Sequence, residues 1–185
     1  MFSHYITTFL LVSAIADYLY KNDRMQGSDA MSAAIEAGAM YAPRVRQNRE
    51  YWRFLTAGFV HFSLWHLLMN MYVLFQIGPS LEGGLGHGMY ALLAIGSIVT
   101  GNLLQYIGDS RSTVSGGLSS ALYGMMGARI VFFARAYGLQ NILHSSSMIQ
   151  TILLNLVMNF LPGVGWRAHI GGLSFGIILT TILVR

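Results

Sequence analysis

One apolar stretch of the chain reads Gly116-Gly117-Leu118-Ser119-Ser120-Ala121-Leu122-Tyr123-Gly124, and it is the stretch that decides the fold. Small residues recur here at every fourth position: Gly116, Ser120, Gly124 and Ala128. That spacing places them on one face of a helix. Gly172 and Gly176 repeat the spacing in a later apolar run. Small residues at this spacing let two membrane helices approach closely, so we expect these two ridges to pack together.

The composition of the whole chain favours a membrane protein. Of its 185 residues, 54% are hydrophobic and only 10% are charged, and the mean hydropathy is +0.52. Soluble domains carry about 25% charged residues, so this chain could not cover a globule with a polar surface. It contains no cysteine, which excludes disulfides and thiolate metal sites. The Lys and Arg residues behind the net charge of +4 lie between the apolar runs, not in a stripe that would bind nucleic acid.

Six apolar runs predict an all-α membrane protein, a six-transmembrane-helix bundle that forms a single domain over residues 1–185. The runs are Tyr5–Tyr20, Phe54–Ile77, Met89–Ile107, Val114–Ala134, Met148–Leu161 and Ala168–Val184. A spanning helix needs about 17–25 residues. The second to fourth runs meet this length, the first and sixth are marginal, and the fifth is short. Ala14-Ile15-Ala16 resembles a signal-peptide cleavage site. Because no Lys or Arg precedes the first run, we expect that this run is not cleaved off as a signal peptide.

The connection over residues 21–51 is the one long connection between runs. Within it, Met31–Met40 predicts a short amphipathic helix at the membrane interface. The other connections are short and glycine-rich, such as Glu82–Gly86.

Polar residues inside the runs are functional candidates, because polar groups are costly at bilayer depth. The second run holds His61, His66, Asn70 and Gln76. His66 and Asn70 are four residues apart and share one helix face. They either join neighbouring helices by hydrogen bonds or form part of an oxyanion hole, which needs donors aimed at a developing negative charge.

Ser119 and His169 are candidates for a nucleophile and its base. A serine nucleophile needs a base to take its proton, most often a histidine. His169 lies in the sixth run, within Ala168-His169-Ile170-Gly171-Gly172. If the two ridges of small residues pack together, Ser119 and His169 come within reach, which would suit peptide hydrolysis inside the membrane. The structural alternative is a packing seam that happens to contain a serine.

Taken together, these motifs resemble those of the rhomboid intramembrane serine proteases. The stretches that carry the resemblance are His61–Asn70, Gly117–Gly124 and Ala168–Gly172, in this order, with Trp52-Arg53 and Glu82 as further marks. The similarity covers residues 51–185. Each motif alone is loose, but their joint occurrence in order is highly specific. Ser120 stands where many family members have Gly, a small-for-small change that we expect to be tolerated.

The resemblance implies a six-helix rhomboid fold with a Ser–His dyad and no third acidic member. Ser119 would be the nucleophile and His169 the general base and then the general acid. His66 and Asn70, with the backbone N–H of Ser119, would hold the oxyanion. Tyr123 would pack against the base, with Leu118 and Gly117 as further support of the active site. Structural roles are implied for Trp52, Arg53, His61, Glu82 and Gly172, with Arg53 and Glu82 stabilising the first loop.

The resemblance further implies an enzyme without metal or cofactor. Its partners would be single-span transmembrane protein substrates and the lipid bilayer, with no nucleic acid. We expect a multi-pass protein of the cell membrane (plasma or inner), with its active site open to the extracytoplasmic side.

The charge distribution conflicts with that orientation. Six cations lie between the first two runs: Lys21, Arg24, Arg44, Arg46, Arg49 and Arg53. The positive-inside rule would place this connection in the cytoplasm, whereas the family places it outside. Arg129, Arg135 and Arg185 favour the family orientation, and we expect several of the loop arginines to be used in the fold of the loop itself.

Other classes fit less well. A metal-dependent intramembrane protease would need a motif such as His-Glu-x-x-His, and no His in this chain is followed by Glu. An aspartyl protease needs two aspartates in facing helices, whereas Asp109 lies in a loop beside Gly108. A transporter would place polar groups at the midplane but would not require this set of Ser, His, Tyr and Gly. The main alternative is a rhomboid-like pseudoprotease, which binds transmembrane helices without cleavage and usually lacks the Ser or the His.

Overall fold

The protein folds as a helical bundle with one two-stranded sheet. A computed structural model describes residues 4–25, 30–109, 112–158 and 165–183. The elements in chain order are α1 (Tyr5–Met25), α2 (Ala30–Glu36), β1 (Met40–Tyr41), α3 (Ala42–Asn48), α4 (Arg53–Thr56), a 3-10 turn (Ala57–Phe59), α5 (Leu64–Leu85), α6 (His87–Gly108), β2 (Val114–Ser115), α7 (Ser119–Tyr137), a 3-10 segment (Leu139–His144), α8 (Ser146–Met158) and α9 (Trp166–Leu183). The predicted all-α class is confirmed.

Helix length and hydropathy identify fewer membrane spans among the described residues than the six predicted. Within the described ranges, α6 and α9 are long and apolar enough to cross a bilayer. A third span is added if residues 53–59 and α5, which meet at a sharp bend, are counted as one. The count of six spans therefore stays a prediction.

The second apolar run is not one helix, contrary to the prediction. The chain bends by 94° between residues 53–59 and α5, and α5 begins only at Leu64. The cause is local: the side chain of Ser63 accepts the N–H of His66 at 3.1 Å and so caps the new helix. At its other end α5 continues to Leu85, so the predicted glycine-rich loop at Glu82–Gly86 is mostly helix.

The fourth run also differs from the prediction, because its helix begins at Ser119 and not at Val114. Val114–Ser115 instead pairs antiparallel with Met40–Tyr41 of the first connection. The amphipathic helix predicted over Met31–Met40 is α2, which ends at Glu36. The predicted end of the fifth run, residues 159–161, and of the sixth, Val184, lie outside the described residues.

The first connection is held together by a buried arginine. Arg53 is only 2% exposed. Its Nη1 donates to the carbonyl oxygens of Ile35 (2.6 Å) and Ala39 (2.8 Å), while its Nε and Nη2 bind Glu50. Partial burial raises the pKa of Glu50, but hydrogen bonds from Asn48 and Arg53 and the nearby arginine charges outweigh this, so its pKa lies below the usual value. Much of the positive charge in this connection is thus used internally.

Glycines let α7, α9 and α6 pack almost backbone to backbone. A Cβ atom on Gly172 would lie 2.1 Å from the carbonyl oxygen of Ser120, and one on Gly176 would lie 2.0 Å from that of Gly124. The predicted packing of the two ridges is therefore confirmed at Ser120 and Gly124, which face Gly172 and Gly176. Gly116 is the exception, because it precedes α7 and its Cβ would meet the carbonyl oxygens of Ala57 and Val60.

Gly176→Ala is expected to destabilise the bundle. The added methyl would overlap the backbone of α7, which cannot rotate away as a side chain can, and overpacking of this kind costs about 1–3 kcal/mol. We expect a lower midpoint for unfolding in detergent. Gly84→Ala is the matched control, since a Cβ there meets no described atom within 4 Å. Equal midpoints for the two variants would contradict the close contact.

Candidate active site

Ser119 and His169 are in direct contact. His169 Nε2 lies 2.7 Å from Ser119 Oγ, and the two residues are 2% and 4% exposed. Ser119 is the first residue of α7, and His169 lies in the first turn of α9. The glycine contacts described above hold these two helix ends side by side. With its proton on Nδ1, the His169 ring can accept the hydroxyl proton of Ser119 at Nε2.

The ring of Tyr123 fixes the position of His169. The two rings stack with their centroids 4.1 Å apart and an interplanar angle of 15°. Tyr123 lies one helical turn after Ser119, so the same helix supplies both neighbours of the imidazole. The stacking leaves the His169 ring little freedom to turn away from the Ser119 hydroxyl.

Gly117 brings the loop before Ser119 against His66 and Asn70. Its φ is +116°, in the region that favours glycine. A Cβ atom there would lie 2.7 Å from His66 Nε2 and 3.5 Å from Asn70 Nδ2. Any other residue would therefore fill the space between this loop and the two side chains.

His66 and Asn70 are buried, and their polar side-chain atoms make no hydrogen bond to the described parts of the chain. Both are 0% exposed, and within the described parts of the chain none of their side-chain nitrogen or oxygen atoms has a hydrogen-bond partner. Such atoms are uncommon in folded proteins and call for an explanation. Beside them, Ser119 begins α7. In this turn the N–H of Ala121 already donates to the carbonyl oxygen of Leu118 at 2.9 Å, whereas the N–H of Ser119, the first helical residue, has no acceptor within the helix, and the helix dipole there favours negative charge. These donors together could hold an anionic oxygen next to Ser119.

His61 links the first connection to the loop before Ser119. Its Nδ1 lies 2.9 Å from the carbonyl oxygen of Phe59, and the N–H of Leu118 points to its Nε2 at 3.4 Å. The two bonds are compatible when Nδ1 carries the proton and Nε2 accepts. The N–H of Gly117 also donates to the carbonyl oxygen of Ala57 at 2.8 Å. The role of the Ala57 and Phe59 carbonyls has no signal in the sequence, because any residue type supplies a carbonyl.

We expect His61→Ala to loosen this loop without touching the Ser119–His169 pair. Losing the partner of a buried donor costs about 1–3 kcal/mol. Amide exchange at Leu118 should become about tenfold faster or more, because the cost lowers the free energy of local opening. Hydrogen exchange measured on both variants tests this, with His144→Ala, an exposed histidine, as control. Unchanged exchange at Leu118 would show that His61 does not position the loop.

Two residues with predicted structural roles lie away from the Ser119 site. Trp52 is half exposed, and the guanidinium of Arg53 lies 4.5 Å from its ring centroid. Glu82 does not stabilise the first loop as predicted, because it lies at the other end of α5. Its carboxylate accepts the N–H groups of Ile6 and Thr7, each at 2.8 Å, and so caps the start of α1.

The contacts of Glu82 include two further residues that sequence reasoning missed. Thr7 Oγ1 donates to the carboxylate at 2.6 Å, and His87 Nδ1 lies 2.7 Å from it. As for metals, the described residues contain no group of three or more His, Cys, Asp or Glu side chains that could bind an ion.

Comparisons with known proteins agree with this architecture. The Rhomboid domain family matches residues 48–185. "Putative rhomboid protease YdcA" of Bacillus subtilis (strain 168) is 30% identical over 139 residues, which cover 75% of this chain and 70% of that protein. "RHOMBOID-like protein 6, mitochondrial" of Arabidopsis thaliana is 34% identical over 149 residues, 80% of this chain and 48% of that protein.

One similar protein carries a name that denotes inactivity. "Inactive RHOMBOID-like protein 8" of Arabidopsis thaliana is 30% identical over 139 residues, 73% of this chain and 39% of that protein. The chain spans less than half the length of these two plant relatives. The family match and the apolar helices identify an integral, multi-pass membrane protein, and the chain belongs to the rhomboid family.

Proposed function

We propose that this chain is an intramembrane serine endopeptidase that uses a Ser119–His169 dyad. The observation that supports this most directly is the 2.7 Å contact between Ser119 Oγ and His169 Nε2. A buried serine in a packing seam does not need an imidazole nitrogen at hydrogen-bonding distance from its hydroxyl. A nucleophile and its base do.

The proposed reaction follows the usual steps of acyl transfer. Ser119 Oγ attacks the carbonyl carbon of the scissile bond while His169 Nε2 takes the hydroxyl proton. His66, Asn70 and the N–H of Ser119 stabilise the resulting oxyanion. His169 then gives its proton to the leaving amine, and a covalent acyl-enzyme forms at Ser119. Water, activated by His169, hydrolyses this ester and restores the serine.

In this proposal, some backbone N–H groups of the loop before Ser119 hold the loop in place, and one remains for the oxyanion. Those of Gly117 and Leu118 are already used by the Ala57 carbonyl and by His61. They fix the loop, so the Ser119 N–H is the backbone group left for the oxyanion.

We infer that substrates are single-span membrane proteins whose helices unwind easily. In an intact membrane helix every carbonyl is already hydrogen-bonded, so the scissile carbonyl must leave its helix before it can reach Ser119. Gly in a helix interior costs about 1 kcal/mol relative to Ala, and Pro about 3. Substrates should therefore carry Gly, Ser or Pro in the half of the helix nearest the active site, and they should be cut beside a small residue.

A pair of synthetic substrates in liposomes tests this selection. We expect a single-span helix with Gly or Pro near its end to be cut much faster than a matched helix with Leu at the same positions, at equal reconstitution. Equal initial rates would mean that access to the backbone does not govern selection.

We further propose one membrane domain over residues 1–185, with the active site open to the extracytoplasmic side of the plasma or inner membrane. Leu10 and Ala14 of α1 share a hydrophobic cluster with residues of α5, α6 and α7, which supports a single domain. The internal pairing of Arg44 with Glu36 and Glu50, and of Lys21 with Asp17, reduces the weight of the positive-inside rule against this orientation.

The alternative is a protein that binds transmembrane helices without cutting them, as the inactive relative's name allows. A serine-directed fluorophosphonate separates the two functions. We expect the probe to label Ser119 in the folded chain and to need His169 for labelling. A folded chain that binds single-span helices but neither reacts with the probe nor cleaves them would establish the alternative.

A further inference from the structure

A cavity of about 320 Å³ lies between α1 and the first connection. Its lining residues are Phe9, Ser13, Asp17 and Lys21 from α1, Ala37 from the first connection, and Trp52, Thr56 and Phe59 from the segment of α4 and the 3-10 turn that follows it. The α1 residues recur every fourth position and so form one continuous face of the helix. None of the eight takes part in the proposed chemistry at Ser119.

The cavity has a charged end and an apolar end. Asp17 and Lys21 form an ion pair, and Lys21 Nζ also donates to the carbonyl oxygen of Ala37 at 2.6 Å. Since an ammonium group has three protons, it can still donate to a ligand. Phe9, about three helical turns before Lys21 on α1, lines the opposite end, and Phe59 adds a second aromatic side chain to the lining.

The length and depth of the cavity fit one leaflet of a bilayer. Phe9 and Lys21 are separated by roughly 18 Å along α1, and half of the hydrocarbon core is about 15 Å thick. Trp52, at the charged end, is 51% exposed, and Tyr20 and Tyr51 nearby in the chain are 73% and 59% exposed. Trp and Tyr concentrate at the membrane–water interface. The charged end therefore lies at headgroup depth, and Phe9 lies among the acyl chains.

We propose that this cavity binds a phospholipid with a zwitterionic headgroup, of the phosphatidylethanolamine type. Asp17 and Lys21 carry opposite charges side by side, which complements an ammonium and a phosphate and gives no preference for net negative charge. The volume is at the lower limit for a ligand pocket. It suits the headgroup and glycerol region, while the acyl chains extend past Phe9 into the bilayer.

The bound lipid would stabilise the loop that carries Ser119. Thr56 and Phe59 line the cavity, and Ala57, between them, accepts the N–H of Gly117 at 2.8 Å. Thr56 Oγ1 also donates to the carbonyl oxygen of Gly38 at 3.0 Å, which closes this wall of the cavity. A lipid packed against the wall supports the candidate site without contacting it.

Lipid retention tests the location of the site. The chain, purified in detergent with an equimolar mixture of phosphatidylethanolamine and phosphatidylglycerol, is analysed by native mass spectrometry. We expect wild type to retain one phosphatidylethanolamine, and Ser13→Trp, which fills the cavity, to retain it at least about tenfold less, as for a tenfold weaker Kd. Val12→Trp is the control, because Val12 is 56% exposed and lies outside the lining. Wild type without bound lipid, or equal retention by the two variants, overturns the proposal.

A charge variant tests the headgroup and does not depend on Ser13→Trp folding. Asp17→Asn keeps the shape of the cavity but leaves the Lys21 charge uncompensated, so the bound lipid should change from phosphatidylethanolamine to phosphatidylglycerol. An unfolding midpoint of Asp17→Asn equal to that of wild type shows that any gain of anionic lipid belongs to the folded chain. Continued preference for phosphatidylethanolamine in Asp17→Asn overturns the headgroup assignment. Neither measurement uses a protease substrate, so both are independent of the proposed catalytic function.

Discussion

Ser119→Ala and His169→Ala are each expected to lower kcat for peptide cleavage by about 10⁴-fold or more. The Ser119 hydroxyl is the proposed nucleophile, and His169 Nε2, 2.7 Å away, takes its proton in the same step. Because the two groups act as a unit, removing both should cost hardly more than removing one. Single-turnover cleavage of a single-span substrate in liposomes measures all three variants.

The controls for this experiment are residues of the same type outside the site. Ser174 lies on the exposed side of α9, and His144 is exposed on the segment after α7. Ser174→Ala and His144→Ala should keep wild-type rates. The dyad variants should also keep the wild-type unfolding midpoint within a small margin, since neither change alters the helix contacts. Normal turnover by a folded Ser119→Ala variant would refute the assignment of Ser119.

The contact between Ser119 and His169 could be anticipated from the sequence because two kinds of signal agree. The motifs around each residue resemble those of one family, and the small residues at Ser120, Gly124, Gly172 and Gly176 indicate that the two helices approach closely. The spacing of small residues within each run is local information, and each ridge shows it at more than one position. The close approach at Gly101, where a Cβ would lie 2.5 Å from the Ala168 carbonyl oxygen, was not anticipated, because a single glycine has no periodicity.

The path of the chain before Ser119 could not be predicted from apolar runs. The segments on the two sides of the 94° bend before Leu64 are together apolar enough for one span, and the signal that was present, Ser63 as a helix cap, is a single residue. The pairing of Met40–Tyr41 with Val114–Ser115 joins segments more than 70 residues apart, which no local pattern reports. Glu82 shows the same limit. The resemblance to the family implied that it stabilises the first loop, but its partners Ile6 and Thr7 lie 76 and 75 residues away in the sequence.

These long-range contacts hold the loop before Ser119 from one side, while its other side faces an unfilled space next to His66 and Asn70. The strand pair, the Ala57 carbonyl and His61 hold the loop from the side of the first connection. On the other side Gly117 leaves room next to His66 and Asn70. An oxyanion hole needs this combination, because its donors must be fixed before the charge develops and must not be occupied by the protein itself.

Asn70→Leu is expected to lower kcat by about 10²–10³-fold, the usual loss for one oxyanion donor, while leaving the protein as stable as wild type or more so. The two effects separate because the side-chain polar atoms of Asn70 are buried, and among the described residues they have no hydrogen-bond partner. Such atoms lose hydration without gaining a bond, and an apolar group of similar shape removes that penalty of about 1–3 kcal/mol. His66→Ala should show a similar fall in kcat.

Gln76→Leu is the matched control for Asn70→Leu, since Gln76 is an exposed amide on the same helix, with its side chain donating to Tyr72 at 2.9 Å. It should change neither kcat nor the unfolding midpoint appreciably. If Asn70→Leu instead kept kcat and unfolded more readily than Gln76→Leu, Asn70 would be a packing residue that joins helices, and the oxyanion would have to be held by other donors. A fall in kcat without loss of stability, with KM little affected, is the result expected for a donor to the transition state.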